Sequence, residues 1–148
     1  MNDLLAWFDC EFDRLDSNWR KLISDLDSAT FYSSEKQQLS PAAEQILRSA
    51  RIVEQACGGI TANLWDDPFE WTLPETITSK DKLNGYLEEV RDARARAFRF
   101  FKDDAELLKT IMAPGGPTQL ASLLLDTLVR AGYCQLQAKE YLQRKPSL

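Results

Sequence analysis

The sequence predicts an all-α protein in which four amphipathic helices form one bundle. Apolar residues recur at steps of three and four in four separate stretches, the spacing that places side chains on one face of a helix. The chain has 148 residues, of which 44% are hydrophobic, so residues 1–148 can form one domain around a single core. Such helices bury their apolar faces against one another, which favours a bundle, here with a long connection between the second and third helices.

The first helix is expected to run from Asp3 to about Ser28. Its apolar seam consists of Leu4, Phe8, Phe12, Leu15, Trp19, Leu22 and Leu26. Charged residues fall on the other side of the helix, and these are Asp9, Asp13, Arg14, Asp16, Arg20 and Lys21. The segment that follows, DSATFYSSEKQQLS, breaks the pattern and predicts a loop.

The second helix is expected to begin at Ser40–Pro41. Serine is a favoured N-cap residue, and proline at the first helical position loses no hydrogen-bond donor that the helix needs. The apolar seam consists of Ile46, Ala50, Val53, Cys57, Ile60 and Leu64. Gly58 and Gly59 lie within this stretch, and each costs about 1 kcal/mol relative to alanine. The pair predicts a kink, the close approach of another backbone, or an early end of the helix.

The connection after the second helix is rich in tryptophan and proline. Residues 64–78, LWDDPFEWTLPETIT, contain Trp65, Phe69 and Trp71. Long loops of this composition fold back over the end of a core or cover a pocket. We expect coverage of the core, with ligand contact as the alternative.

The third helix is expected to begin at Thr78, with Asp81 three residues later in a capping box. Its seam consists of Leu83, Leu87, Val90, Ala97 and Phe101. The run RDARARAFRFF adds Arg91, Arg94, Arg96 and Arg99 around the helix. We expect a solvated face on which Glu88 and Asp92 are ion-pair partners, with anion binding as the alternative.

The fourth helix is expected to run from Pro117 or Thr118 to about Gln143, after a turn, a short extended piece and a Gly-Gly-Pro connection. Its apolar stripe consists of Leu120, Leu124, Leu128, Ala131 and Ala138. A second stripe beside it carries side chains whose functional groups can bind a ligand or react, and these are Asp126, Arg130, Tyr133, Cys134 and Gln137. This second stripe is the candidate functional site.

The composition excludes several kinds of function. The chain has no histidine and three cysteines, which excludes Ser-His-Asp and Cys-His catalysis, histidine-based zinc sites and a four-cysteine zinc site. A carboxylate-bound metal stays open. The net charge of −5 is unfavourable for binding nucleic acid, and no apolar run approaches the roughly 18 residues that span a membrane. The widely spaced cysteines, Cys10, Cys57 and Cys134, predict reduced thiols in a cytoplasmic protein.

The order of the helices and the amino-acid sequences of two of them resemble one known family. The stretch LLLDTLVRAGYCQLQ, residues 123–137, is similar to the pattern LLxHxxxHxxHHxxQ of the DinB/YfiT-like superfamily of four-helix bundles. The first-helix text FDRLDSNWRKLISDL and the Ser/Pro cap of the second helix resemble that family as well. The resemblance covers nearly the whole chain and implies a bundle of the DinB/YfiT-like type.

The family's metal ligands are replaced in this chain. Family members typically bind a divalent metal through three histidines, and several are thought to act as metal-dependent thiol transferases or hydrolases. The resemblance places Ser49 at the ligand position of the second helix, and Arg130 and either Tyr133 or Cys134 at those of the fourth. We therefore expect no metal and no other cofactor.

Arg130 is the central residue of this altered site. A guanidinium inside a bundle needs a carboxylate, because an unpaired buried charge is very costly. We expect Arg130 to replace the charge of the metal and to pair with Asp126, with Glu54 across the bundle, or with both. The alternative is a half-exposed Arg130 at the edge of the bundle.

The other members of the stripe have two interpretations each. Tyr133 either packs its ring or contributes to binding. Cys134 is expected to be a buried inert thiol, and the alternative is a reactive thiolate whose pKa Arg130 lowers. Gln137 either joins a polar network at a pocket or faces solvent.

Two classes of function follow. The first is a non-catalytic DinB-like bundle that binds a small molecule, an anionic ligand or a protein, with a pocket between the helices and the Trp65–Trp71 loop, and that forms a homodimer. The alternative is a metal-independent, or carboxylate-metal, transferase or hydrolase. In it, Arg130 orients an anion and Cys134 or Tyr133 reacts.

Overall fold

The computed structural model describes residues 3–65 and 73–144, and over these residues the chain is an all-α bundle of four long helices. The helices in chain order are α1 (Asp3–Asp25), α2 (Pro41–Ala62), the short α3 (Leu73–Thr76), α4 (Lys80–Arg99) and α5 (Leu120–Gln143). Two small antiparallel hairpins are β1 (Tyr32–Ser33) with β2 (Gln38–Leu39), and β3 (Thr110–Ala113) with β4 (Gly116–Gln119). A 3-10 helix, Asp104–Leu108, precedes β3. The predicted all-α four-helix bundle is confirmed.

The α1 helix buries its predicted seam with one exception. Leu4 is 40% exposed, and Leu5 takes its place in the core. The helix ends at Asp25, slightly earlier than predicted. Asp27 Oδ1 accepts a hydrogen bond from the N–H of Ala29 at 2.9 Å, and this local turn competes with further helix.

Ser40 caps α2 as predicted. Its Oγ accepts a hydrogen bond from the N–H of Ala43 at 3.3 Å, and Pro41 is the first helical residue. The N–H of Ser40 donates to the carbonyl of Phe31 at 2.8 Å, next to the first hairpin. Because Phe31 is fully buried, this bond ties the start of α2 to the core.

The glycine pair of α2 marks the close approach of the chain that follows. A Cβ atom on Gly58 would lie 3.1 Å from the carbonyl oxygen of Leu64, and one on Gly59 would lie 2.4 Å from ring atoms of Trp65. The predicted close approach of a backbone is thus found, and the helix continues to Ala62. Leu64 is 59% exposed, so its predicted place on the apolar seam is wrong.

The start of α4 lies later than predicted. Ser79, not Thr78, is the N-cap, and its Oγ accepts a hydrogen bond from the N–H of Lys82 at 3.2 Å. Both residues can cap a helix, and the extended backbone of Ser79 decides between them.

The arginines of α4 do not all lie on a solvated face, which corrects the prediction. Arg94 is 7% exposed and pairs with Asp9 at 2.8 Å and with Asp13, both on α1. Asp16 of α1 is 4% exposed and accepts a hydrogen bond from Arg91 at 2.5 Å. The acidic side of α1 therefore faces the arginines of α4.

The α5 helix begins later than predicted, at Leu120, and ends at the predicted Gln143. The residues predicted as its first turn, Pro117 and Thr118, belong to β4 instead and pair with β3. The short extended piece expected here is one strand of that hairpin.

The α2 helix lies at the centre of the bundle, where it packs against both α5 and α4. Helix α1 packs across α5 and α4. Among the described residues, no helix is long and apolar enough to cross a membrane.

Candidate functional site

Ser49 lies at the contact between α2 and α5, where it is fully buried. Its Oγ donates a hydrogen bond to the carbonyl of Ala131 at 2.6 Å and accepts one from Trp19 Nε1 at 2.8 Å. The hydroxyl therefore joins α1, α2 and α5. Ser49 faces the part of α5 that contains Arg130 and Cys134, and its hydroxyl holds the helices together.

Arg130 lies at the edge of the bundle, so the prediction of an interior Arg130 is wrong. Its side chain is 51% exposed, and Asp126, its partner at 3.8 Å, is 62% exposed. The expected partner Glu54 instead accepts a hydrogen bond from the hydroxyl of Tyr86, on α4, at 3.0 Å. The cause is helical geometry: Ala131 is fully buried, and consecutive side chains on a helix point about 100° apart.

The remaining members of the predicted stripe are spread around α5. Tyr133 is 63% exposed, Gln137 is half-buried, and Cys134 packs partly against the core. Their spacing is helical as predicted, but they differ in exposure because the row crosses from the surface to the core.

Burial raises the pKa of the Cys134 thiol above its ordinary value. The guanidiniums of Arg48, Arg51 and Arg130 lower this pKa, but burial is the larger effect. The thiol is therefore protonated at neutral pH. Burial likewise raises the pKa of Cys57, which lies in the core as predicted, to about 12.

Glu54 and Tyr86 form a polar pair between α2 and α4. Burial is the main cause that raises the pKa of the Glu54 carboxyl; the hydrogen bond from Tyr86 acts against it, and the charge of Glu89 adds to it. Burial and the nearby Glu54 raise the pKa of Tyr86, so its hydroxyl stays a donor. Glu54 thus belongs to the α4 side of α2.

A cavity of about 480 Å³ lies between α2, α5, the tip of the β3–β4 hairpin and Trp65, and we name it the α2–α5 cavity. Its apolar lining is formed by Ile52, Ala56, Trp65, Ala113, Pro114 and Leu123. Its polar lining is formed by Gln55, Thr118, Ser122, Asp126, Thr127 and Arg130. The predicted pocket beside Trp65 is therefore present, whereas Phe69 and Trp71 lie outside the described residues.

Trp65 is held in place as a wall of this cavity. Gln55 Nε2 donates a hydrogen bond to the carbonyl of Trp65 at 2.7 Å, and Gln55 Oε1 accepts one from Arg51 at 3.2 Å. Trp65 Nε1 donates to Asn63 Oδ1 at 3.0 Å, and the ring packs on Gly59. These contacts fix the position of Trp65 beside the cavity.

Sequence reasoning missed Gln55 and Thr127, which the structure places at the cavity. It chose the neighbouring Glu54 because a carboxylate is the obvious partner for Arg130. The sequence signal for this contact was Gly59. A glycine inside a helix often marks the close packing of another group, and the large Trp65 follows six residues later.

The α2–α5 cavity combines the guanidinium of Arg130 and the carboxylate of Asp126 with uncharged polar groups on a largely apolar wall, and the guanidinium is the group that can pair with an organic anion. In the described part of the chain, no group of three acidic or cysteine side chains is placed to hold a metal ion. Comparisons of the chain with protein-family models, with curated proteins and with solved structures find no match.

Proposed function

We propose that this chain is a DinB-like bundle without the metal-binding triad, a non-catalytic protein that binds a small anionic molecule in the α2–α5 cavity. The observation that carries the proposal is Arg130 in the wall of a largely apolar cavity. The volume of about 480 Å³ suits a small ligand, which a few polar groups can orient.

The weak ion pair of Arg130 supports binding of an anion. Its partner Asp126 is 3.8 Å away, both side chains are largely exposed, and such pairs on a helix contribute at most about 0.5 kcal/mol. A ligand carboxylate can form two parallel hydrogen bonds with the guanidinium. The apolar part of the ligand then lies against Trp65 and Ala56, which line the same cavity.

Calorimetric titration with benzoate and benzamide tests this proposal, because the two probes share a ring and only benzoate is charged at neutral pH. We expect benzoate to bind about tenfold more tightly. Arg130→Met should remove this preference, and Arg14→Met, at an exposed arginine of α1, should keep it. Equal affinity for both probes, or unchanged benzoate binding to the Arg130 variant, contradicts the proposal.

The alternative proposal is a metal-independent or carboxylate-metal transferase or hydrolase in the same region. The three arginines near Cys134 favour it. The raised pKa of Cys134, and its position outside the lining of the cavity, favour the non-catalytic protein. Alkylation by iodoacetamide at pH 7 separates the two: a reacting Cys134 is modified faster than the exposed Cys10, and an inert one more slowly.

We also propose a homodimer that forms through the outer face of α5. Leu125, Val129 and Leu136 follow one another on this face and are 50%, 63% and 53% exposed. A Cβ atom on Gly132, in the same row, would meet no atom within 4 Å. Trp7 of α1, 47% exposed, extends this surface across the groove between α1 and α5. Apolar patches of this kind mark interaction sites, and a second copy presents the same patch.

Sedimentation velocity of the variant Leu136→Glu tests the homodimer. The unchanged chain should sediment as a dimer and the variant as a monomer, because the new charge would be buried in the interface. Leu108→Glu, which changes a leucine 64% exposed on the 3-10 helix, should leave the dimer intact. A monomeric unchanged chain contradicts this proposal.

We also propose that the protein is located in the cytoplasm. The three cysteines are free, and Cys10 is exposed. Reducing conditions keep an exposed thiol of this kind from forming disulfides.

A further inference from the structure

A second open cavity, of about 580 Å³, lies at the carboxyl end of α4. It is lined by Arg96, Arg99, Phe100 and Lys102, with Thr61 from the end of α2. We name it the Phe100 cavity. It shares no lining residue with the α2–α5 cavity, so it is independent of the function proposed above.

The three cations of the Phe100 cavity differ from the other arginines of α4. Arg91 and Arg94 pair with carboxylates of α1. Within residues 3–65 and 73–144, Arg96, Arg99 and Lys102 form an ion pair with none of the carboxylates. All three cations line the Phe100 cavity on a chain whose net charge is −5, and Arg96 also borders a neighbouring cavity that contains Glu54, Glu89 and Asp92.

Local structure explains why these cations stand together. They recur every third residue across the last turn of α4 and just beyond it. The carboxyl end of a helix carries a partial negative charge, which stabilises cations there without carboxylate partners. The hydroxyl of Thr61 donates to the carbonyl of Cys57 at 2.9 Å, so recognition of an anion falls to the cations.

Phe100 gives the cavity a second recognition element. Its side chain is 59% exposed, although burial of a phenyl ring would stabilise the folded chain. An aromatic ring beside guanidiniums can stack on a flat group while the guanidiniums hold phosphate oxygens. A phosphate dianion matches a site with three cations better than a single carboxylate does.

We propose that the Phe100 cavity binds a phosphate monoester that carries a flat aromatic group. The phosphate lies between Arg96, Arg99 and Lys102, and the aromatic group lies on the ring of Phe100.

Titration of the full chain with phenyl phosphate, followed through the backbone amide signals in NMR spectra, tests this inference. We expect the signals of Thr61 and of residues 96–102 to shift, and phenol to shift them far less. The double variant Arg96→Gln and Arg99→Gln should weaken binding about tenfold or more. Phe100→Ala should weaken binding of phenyl phosphate and leave that of inorganic phosphate unchanged.

A matched control separates this site from general attraction of anions. Lys36→Gln, at an exposed position in the turn between β1 and β2, should leave the titration unchanged. Shifts that spread over all exposed lysines, or equal binding by the double variant, overturn the inference. Binding of the unchanged chain to anionic lipid vesicles without a response to phenyl phosphate also overturns it.

Discussion

The α2–α5 and α1–α4 contacts are built from different chemistry. Helices α2 and α5 meet through buried apolar and small side chains, and the hydroxyl of Ser49 links them by a hydrogen bond. Helices α1 and α4 are joined beside their apolar seams by ion pairs in which Asp16 and Arg94 are almost completely buried. Helical periodicity identifies the apolar seam of each helix, but it assigns the residues beside the seam to solvent even where a neighbouring helix covers them.

Ser49→Ala should have the largest effect on stability, because the Ser49 hydroxyl is fully buried among the apolar side chains between α2 and α5. The change leaves Trp19 Nε1 without its buried partner, whereas the carbonyl of Ala131 keeps the hydrogen bond it accepts within α5. One unpaired buried donor predicts a loss of about 1–3 kcal/mol in the free energy of unfolding, measured by urea denaturation.

Ser24→Ala is the matched control for the Ser49 variant. The exposed Ser24 hydroxyl donates to the carbonyl of Lys21 at 2.6 Å, so water can replace that bond. We expect a change within about 0.5 kcal/mol. Equal losses for the two serine variants would show that the buried hydrogen bonds of Ser49 do not stabilise the bundle.

Arg94→Met should have a smaller effect, on the ionic contact. Methionine keeps much of the buried aliphatic part, and the partners Asp9 and Asp13 are 39% and 64% exposed, so water can solvate them. We expect the free energy of unfolding to fall by about 1–2 kcal/mol. Arg130→Met, at the exposed pair with Asp126, should change it by less than about 0.5 kcal/mol. Equal losses for the two arginine variants contradict the distinction between a buried and an exposed ion pair.

Glu54→Gln should have the smallest effect on stability, and the size of that effect depends on pH. The folded state raises the pKa of Glu54, so the folded chain binds this proton more tightly than the unfolded chain does. The contribution of Glu54 to stability is therefore greatest at low pH and declines as the pH rises through the ordinary pKa of glutamate to the folded pKa. Glutamine does not ionise, and its oxygen can still accept the hydrogen bond of Tyr86.

Melting temperatures between pH 4 and pH 7 check this prediction. Relative to the unchanged chain, the Glu54 variant should be more stable at pH 7, and the difference should shrink towards pH 4. Glu35→Gln, at an exposed position between β1 and β2, should show no such trend. A Glu54 variant that is less stable at pH 7 would show that the carboxylate stabilises the fold.

Features that depend only on residues close together in the sequence could be predicted from the sequence. The Ser40 cap, the end of α5 and most of each seam follow from local hydrogen bonding and helical spacing. The choice between Thr78 and Ser79 as the cap of α4 depends on one backbone conformation, which spacing does not determine.

The site could be predicted only in part, because its residues depend on contacts between distant segments. The stretch around Arg130 does face Ser49 where α2 and α5 meet. However, consecutive side chains on a helix point in different directions, so Ala131 is buried whereas Arg130 is exposed. Trp65 becomes a cavity wall through Gln55 and Gly59, and no local pattern contains that contact.

A crystal structure of the chain with 4-bromobenzoate tests the central claim most directly, because anomalous scattering locates the bromine. We expect bromine in the α2–α5 cavity beside Trp65 and Ala56, with the carboxylate within hydrogen-bonding distance of the Arg130 guanidinium. Bromine bound elsewhere, with an α2–α5 cavity that stays free of the probe, would contradict it.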